Sequence, residues 1–140
     1  MQNNRIVFGI IVVSLQFASG SIMYAYLIAR ILKINLRNVR DGNPGSYNLW
    51  ISAGWKWGLL GVILDFLKGV LPLSIFMHYF GSDGNRYLFA IAALSGILGH
   101  AFSPMLKFKG GKAIATSFGA WFAMTKLEAP LFLALVLLSF

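Results

Sequence analysis

Long apolar runs separated by short polar breaks set the pattern of this chain. The first runs from Ile6 to about Leu32, the second from about Trp57 to Phe80, and the third from Tyr87 to Leu106. Each reaches or exceeds the ~20 residues a helix needs to cross a bilayer core. The first is longer than a span requires, so either its end lies in the interface or the helix breaks near Gly20. A fourth run, Ala113 to Thr125, has 13 residues between Lys112 and Lys126. It is short for a span unless those lysines reach out to the interface, and a re-entrant segment is the alternative. The last run, Ala129 to Phe140, stops after 12 residues. At ~1.5 Å per residue it covers ~18 Å of a ~30 Å core, so the chain looks like a fragment or a natural truncation. The pattern predicts an all-α fold: a polytopic transmembrane helical bundle of four to five hydrophobic segments, forming a single integral membrane domain over residues 1–140.

Composition agrees with the pattern. Hydrophobic residues make up 58% of the chain and charged residues 11%, where soluble domains carry about 25% charged. A net charge of +8 raises the question of nucleic acid. The cations sit in short loops between apolar runs, which argues against nucleic acid as a partner. The absence of cysteine excludes disulfides and thiolate metal sites. The first apolar run has no small-residue cleavage site with a polar region after it, so it reads as a retained span. Eight cations (Arg30, Lys33, Arg37, Arg40, Lys56, Lys107, Lys109 and Lys112) belong to the first and third connections, against three (Arg5, Arg86 and Lys126) on the other side. The positive-inside rule puts the first and third loops in the cytoplasm and the N-terminus outside.

Candidate chemistry concentrates in those two loops. Lys107-Phe108-Lys109-Gly110-Gly111-Lys112 combines three cations with two glycines. Glycine lets backbone N–H groups approach a ligand closely, and lysine supplies charge, so the turn is a candidate anion site. It is not a Walker A loop, because Leu106 precedes Lys107 where the first glycine should stand and Ala113 follows Lys112. The other loop, Asn35 to Asn48, is the only long polar segment. Its Gly, Asn, Ser and Arg residues suit turns and bonds to hydroxyls and phosphates, although an ordinary solvated loop has the same composition.

Inside the apolar runs, Asp65 and Lys68 stand three apart on one helix face. Either charge alone in hydrocarbon would cost on the order of 3 kcal/mol, which favours a structural pair over a proton relay or a substrate contact. His100, near the cytoplasmic end of the third run, is a candidate base, phosphate ligand or hydrogen-bond donor. It lacks the acid of a His-x4-Asp arrangement, since Met105 holds that position. Nothing near His78 argues for chemistry. Ser21, Ala25 and Ala29 form a small-xxx-small face, as do Ala115, Gly119 and Ala123. On spacing alone, Ser21 reads as a helix-packing residue.

Two blocks together resemble the bacterial membrane glycerol-3-phosphate acyltransferases that use acyl-phosphate as donor. One is Gly99-His100-Ala101-Phe102-Ser103-Pro104 followed by Phe108-Lys109-Gly110-Gly111-Lys112-Ala113-Ile114-Ala115-Thr116. The other is Gly20-Ser21-Ile22, then Arg37, then Gly42-Asn43-Pro44-Gly45-Ser46-Tyr47-Asn48. Asp65-Phe66-Leu67-Lys68-Gly69 also resembles a family segment.

The resemblance implies acyl transfer from acyl-phosphate to the 1-hydroxyl of glycerol 3-phosphate, giving lysophosphatidic acid, at the bacterial cytoplasmic (inner) membrane. It assigns Ser21 and Arg37 as catalytic. Asn43, Gly45, Asn48, His100, Lys109, Gly110, Gly111 and Lys112 would be substrate-binding, and no metal or cofactor is implied. The partners are the two substrates and membrane lipid.

The chain departs from the family pattern at several positions. Arg40-Asp41 replaces Gly-Ser, Asn35 replaces an aspartate, Met23 a proline and Ala113 a glycine. Asp41 would repel a phosphate unless Arg40 neutralises it. The family's third motif, with a histidine and an asparagine, would follow a further span, and the sequence ends before it. The competing class is a non-enzymatic carrier or accessory protein that binds anionic lipid headgroups.

Overall fold

The computed structural model describes residues 2–80 and 86–139. Seven α-helices follow one another among them: α1 Gln2–Ser21, α2 Tyr24–Ile31, α3 Ser46–Ala53, α4 Trp55–Phe80, α5 Arg86–Ala101, α6 Ile114–Thr125 and α7 Glu128–Leu138. Single 3-10 turns lie at Leu36–Asn38 and Pro104–Leu106. Three stretches among the described residues are long and apolar enough to cross a bilayer: Ile6–Ile31, Trp55–Tyr79 and Arg86–Leu106. The predicted fourth and fifth segments are the shorter helices α6 and α7, of 12 and 11 residues. Large apolar side chains point outward along the bundle, among them Ile10, Ile63, Ile91, Leu94, Leu131 and Phe132. Such a surface is stable against lipid rather than water.

Close helix packing rests on glycine. A methyl at Gly20 of α1 would land on the carbonyl of Gly96 in α5. Methyls at Gly69 of α4 and Gly119 of α6 would land on the carbonyls of Thr116 and Phe66. In lipid there is little hydrophobic drive between helices, so such backbone-to-backbone approach supplies the attraction. The predicted Ala115–Gly119–Ala123 face is therefore used, with Thr116 and Ala120 completing its buried side. The Ser21–Ala25–Ala29 face is not continuous, because the helix breaks between Ser21 and Tyr24. Ala25 and Ala29 pack instead on Leu36 and Leu49.

That break falls at Ile22–Met23, just past the expected Gly20. A broken helix in lipid leaves carbonyls without partners, each costing several kcal/mol. Two distant side chains supply the donors. Lys68 Nζ donates to Ile22 O at 2.5 Å, and Ser103 Oγ donates to Ser21 O at 2.6 Å. The debt is mutual: Pro72 lacks the N–H that would have bonded Lys68 O four residues earlier, and Ser19 Oγ of α1 donates to that carbonyl at 3.2 Å.

Helix α3 was not evident from the sequence pattern. It folds back along the start of α4, with Ser46 and Leu49 against Gly61 and Trp50 against Gly58, while Tyr47 and Ile51 stay exposed. Gly54, at φ +91, makes the reversal between the two helices.

Candidate active site

The polar loop Asn35–Asn48 and the glycine turn meet at one end of the bundle. Asn48 is the hub of the loop. Its Nδ2 lies 2.9 Å from the carbonyls of Val39 and Asn43 and from Asp41 Oδ1, so two hydrogens serve three acceptors. Asn43 Oδ1 accepts from Gly45 N at 2.9 Å, a side-chain turn that sets up the start of α3. Arg37 clamps the loop to the turn, donating from Nη1 to Gly42 O at 3.1 Å and from Nη2 to Lys109 O.

The amides of Gly110 and Gly111 face the end of α5. They donate to Ala101 O at 2.9 Å and His100 O at 3.1 Å, holding the turn against that helix. Both N–H groups are taken up by backbone carbonyls. The glycines serve close approach: a methyl at Gly110 would strike the His100 carbonyl, and one at Gly111 the His100 ring. Positive φ falls elsewhere, at Lys107, Phe108 and Ala113 in this turn and at Arg40 and Gly42 in the other loop. Ala113 and Arg40 are two of the positions at which the sequence departs from a family glycine.

Asp41 also differs from expectation. Its neutralising partner is Lys112, Nζ to Oδ2 2.9 Å, rather than Arg40, whose guanidinium lies 4.8 Å from the Tyr47 ring centre. The Lys112 ammonium first, then the Asn48 amide and the Asn43 N–H, hold the Asp41 carboxyl well below the usual carboxylate range. A depressed carboxyl contributes stability at pH above its unfolded pKa and loses it as pH falls through the folded one, so this contact persists at neutral and mildly acid pH.

Between α3, α4 and α6 lies a cavity of about 580 Å³. Asp41, Asn43, Gly45, Asn48, His100 and Lys112 line its polar end, and Val62, Ile63, Phe66, Ile114 and Phe118 its apolar walls. Beneath it runs a buried polar chain. Lys68 Nζ stands 2.9 Å from Asp65 Oδ1, with the two side chains 1% and 3% exposed. The same ammonium also donates an N–H to Ile22 O, so it serves the carboxylate and the helix break together. Asp65 Oδ2 accepts from Ser46 Oγ at 3.2 Å. Thr116 Oγ1 donates to Asp65 O at 3.1 Å. Thr116 Oγ1 also lies 3.3 Å from His100 Nδ1, a contact in which the imidazole tautomer decides which group donates.

Of the residues predicted from sequence, Asn43, Gly45, Asn48, His100 and Lys112 come together at the cavity. Ser21, Arg37, Lys109, Gly110 and Gly111 do not line it. Ser21 Oγ donates to Phe17 O at 2.8 Å, and the residue packs beside Gly99 behind His100. Lys109 is exposed on the turn. Sequence reasoning missed Ser46 and Thr116, although the polar Thr116 in an apolar run was a signal. Asp65 was read with Lys68 as a structural pair in preference to a proton relay or substrate contact, and it also borders the cavity. Among the described residues no group of three or more His, Cys, Asp or Glu side chains is placed to hold a metal ion.

An apolar-surfaced helical bundle, with a cavity where its two basic loops meet, defines a polytopic membrane protein. The comparisons carry this further. The family model described as glycerol-3-phosphate acyltransferase matches residues 10–140, and the chain belongs to that family. It is 58% identical over 121 residues to glycerol-3-phosphate acyltransferase 1 of Thermotoga maritima, covering 86% of this chain and 60% of the relative. It is 40% identical over 106 residues to the Aquifex aeolicus glycerol-3-phosphate acyltransferase, covering 76% of this chain and 54% of the relative. The chain thus spans little more than half the length of these curated relatives. The crystal structure of an integral membrane glycerol 3-phosphate acyltransferase in its glycerol 3-phosphate form superposes with a TM-score of 0.83 at 37% identity, over 94% of this chain and 64% of that one. The lysophosphatidic acid form gives 0.79 at 34% identity, over 91% and 62%.

Proposed function

We propose that the chain carries out acyl transfer from acyl-phosphate to the 1-hydroxyl of glycerol 3-phosphate, releasing lysophosphatidic acid and phosphate. The observation that carries the reading is the two-natured cavity, with Asp41, Asn43, Asn48, His100 and Lys112 at one end and apolar side chains of α4 and α6 at the other. It suits a substrate that joins a phosphate to an acyl chain. The hydroxyl oxygen attacks the acyl carbonyl carbon, the bond from that carbon to the phosphate oxygen breaks, and the departing phosphate takes the hydroxyl proton. Lys112 and Lys109 supply charge for phosphate oxygens. Asn43, Asn48 and His100 Nε2 hold hydroxyls. Arg37 keeps donors in reserve beyond the two it gives to carbonyls. Ser21 acts by position, behind Gly99 and His100.

Purified chain incubated with acyl-phosphate and labelled glycerol 3-phosphate is expected to form labelled lysophosphatidic acid. Retention of the label without turnover would favour a headgroup-binding protein instead. The proposal places the basic loops in the cytoplasm of a bacterial cell and the N-terminus outside the inner membrane, on the asymmetry of cations. Asn38→Cys in this cysteine-free chain is expected to resist an impermeant thiol reagent in intact cells and to react in inverted vesicles. Labelling from outside would reverse the orientation.

A further inference from the structure

Asp41 occupies a seat built for an anion. Its Oδ2 is 2.9 Å from Lys112 Nζ, and its Oδ1 accepts from Asn48 Nδ2 at 2.9 Å and from Asn43 N at 3.2 Å. An ammonium, a side-chain amide and a backbone N–H converging on two oxygens form the donor set that a phosphate would take. These donors stand at the polar end of the cavity. The anion they hold belongs to the chain itself.

We infer that Asp41 is an internal counter-anion that a substrate phosphate must displace from Lys112, and that the exchange selects doubly charged phosphomonoesters over singly charged phosphodiesters. The inference rests on the reading of Lys112 as a phosphate contact.

Three features support displacement. The pair is accessible, with the Lys112 and Asp41 side chains 65% and 38% exposed, and an exposed ion pair is a weak bond. The pair is not needed to join the two loops, since Arg37 already bonds both Gly42 O and Lys109 O. A dianion offers Lys112 about twice the charge of the carboxylate it replaces, whereas a phosphodiester offers no more than Asp41 does. Phosphodiester headgroups crowd any membrane surface. A seat already filled by one negative charge would admit the dianion and decline the surrounding lipid.

The test uses the purified full chain in lipid nanodiscs and four proteins: wild type, Asp41→Asn, Lys112→Met and the double variant. Asparagine at 41 keeps an acceptor for Asn43 and Asn48 but releases Lys112. Asp41→Ser serves in its place if the asparagine variant does not fold. Binding of inorganic phosphate is expected to tighten about threefold to tenfold in Asp41→Asn, and competition by phosphatidylglycerol headgroups to strengthen with it. Lys112→Met should weaken phosphate binding, and adding Asp41→Asn to it should change nothing.

If Lys112→Met weakens phosphate binding but Asp41→Asn leaves it unchanged or weakens it, the counter-anion role is overturned while the phosphate reading stands. If Lys112→Met has no effect, both fall. KM values for glycerol 3-phosphate and for acyl-phosphate, measured separately, identify which phosphate exchanges with Asp41. A decrease in either supports the inference, and a decrease in neither overturns it.

Discussion

Replacing Lys68 by methionine is expected to destabilise the bundle by about 3 kcal/mol or more. Two groups lose a partner at once. Asp65, with its side chain 3% exposed, would keep an uncompensated charge in the membrane interior, and Ile22 O would lose its donor at the helix break. Thermal unfolding in detergent, followed by retention of the monomer peak, measures the effect. Adding Asp65→Asn should restore part of the loss, because an unpaired buried charge is worse than none. The recovery should stop short of wild type, since methionine still leaves the Ile22 carbonyl without a hydrogen bond. A double variant less stable than either single one would show that the pair is not what holds these residues there.

The second large effect is expected at the glycine turn. A methyl at Gly110 meets backbone, the carbonyls of His100 and Ala101, neither of which can swing aside. The turn must lift off α5 and give up the hydrogen bonds to both carbonyls, moving Lys109 and Lys112 with it. We expect Gly110→Ala to lower kcat/KM by about 100-fold, or ~2.7 kcal/mol. Gly111→Ala meets side chains rather than backbone, the buried His100 ring and Asn43 Oδ1 at 3.4 Å, so the ring rather than the turn has to give. Its loss should be nearer tenfold and fall mainly on KM for glycerol 3-phosphate. Initial rates on protein that still elutes as folded separate the two. Equal and negligible losses would reduce the turn to a simple connection.

The apolar runs were legible because lipid demands them, and their length located the three stretches able to cross a bilayer. Asp65 and Lys68 were legible as a pair because hydrocarbon penalises either charge alone. Ala113 and Arg40 stood out as replacements for family glycines, and both adopt the positive φ that glycine would have taken without strain.

What could not be read depends on partners far away in sequence. A break near Gly20 was legible, but its place at Ile22–Met23 and its reliance on Lys68 and Ser103 were not. The direction of the Gly110 and Gly111 amides is decided by the end of α5. Arg40 is the neighbour of Asp41 in sequence, but Lys112 is its neighbour in space. Helix α3 escaped notice because it is short and keeps part of its apolar surface outward, so a search for long apolar runs passes over it.

The break in the first span also imposes an order on biogenesis. Its two carbonyls wait for donors that lie 46 and 82 residues downstream. While only the N-terminal segment has entered the bilayer, those donors have not yet been synthesised. In lipid the nascent segment then satisfies its backbone best as one unbroken helix. An N-terminal fragment ending at residue 33 should accordingly protect the amides of Met23 to Ala25 from hydrogen exchange in micelles, as a continuous helix would. Opening at Ile22–Met23 becomes favourable only once α4 and α5 arrive, so the site end of the bundle takes its final form as a late step of assembly in the membrane.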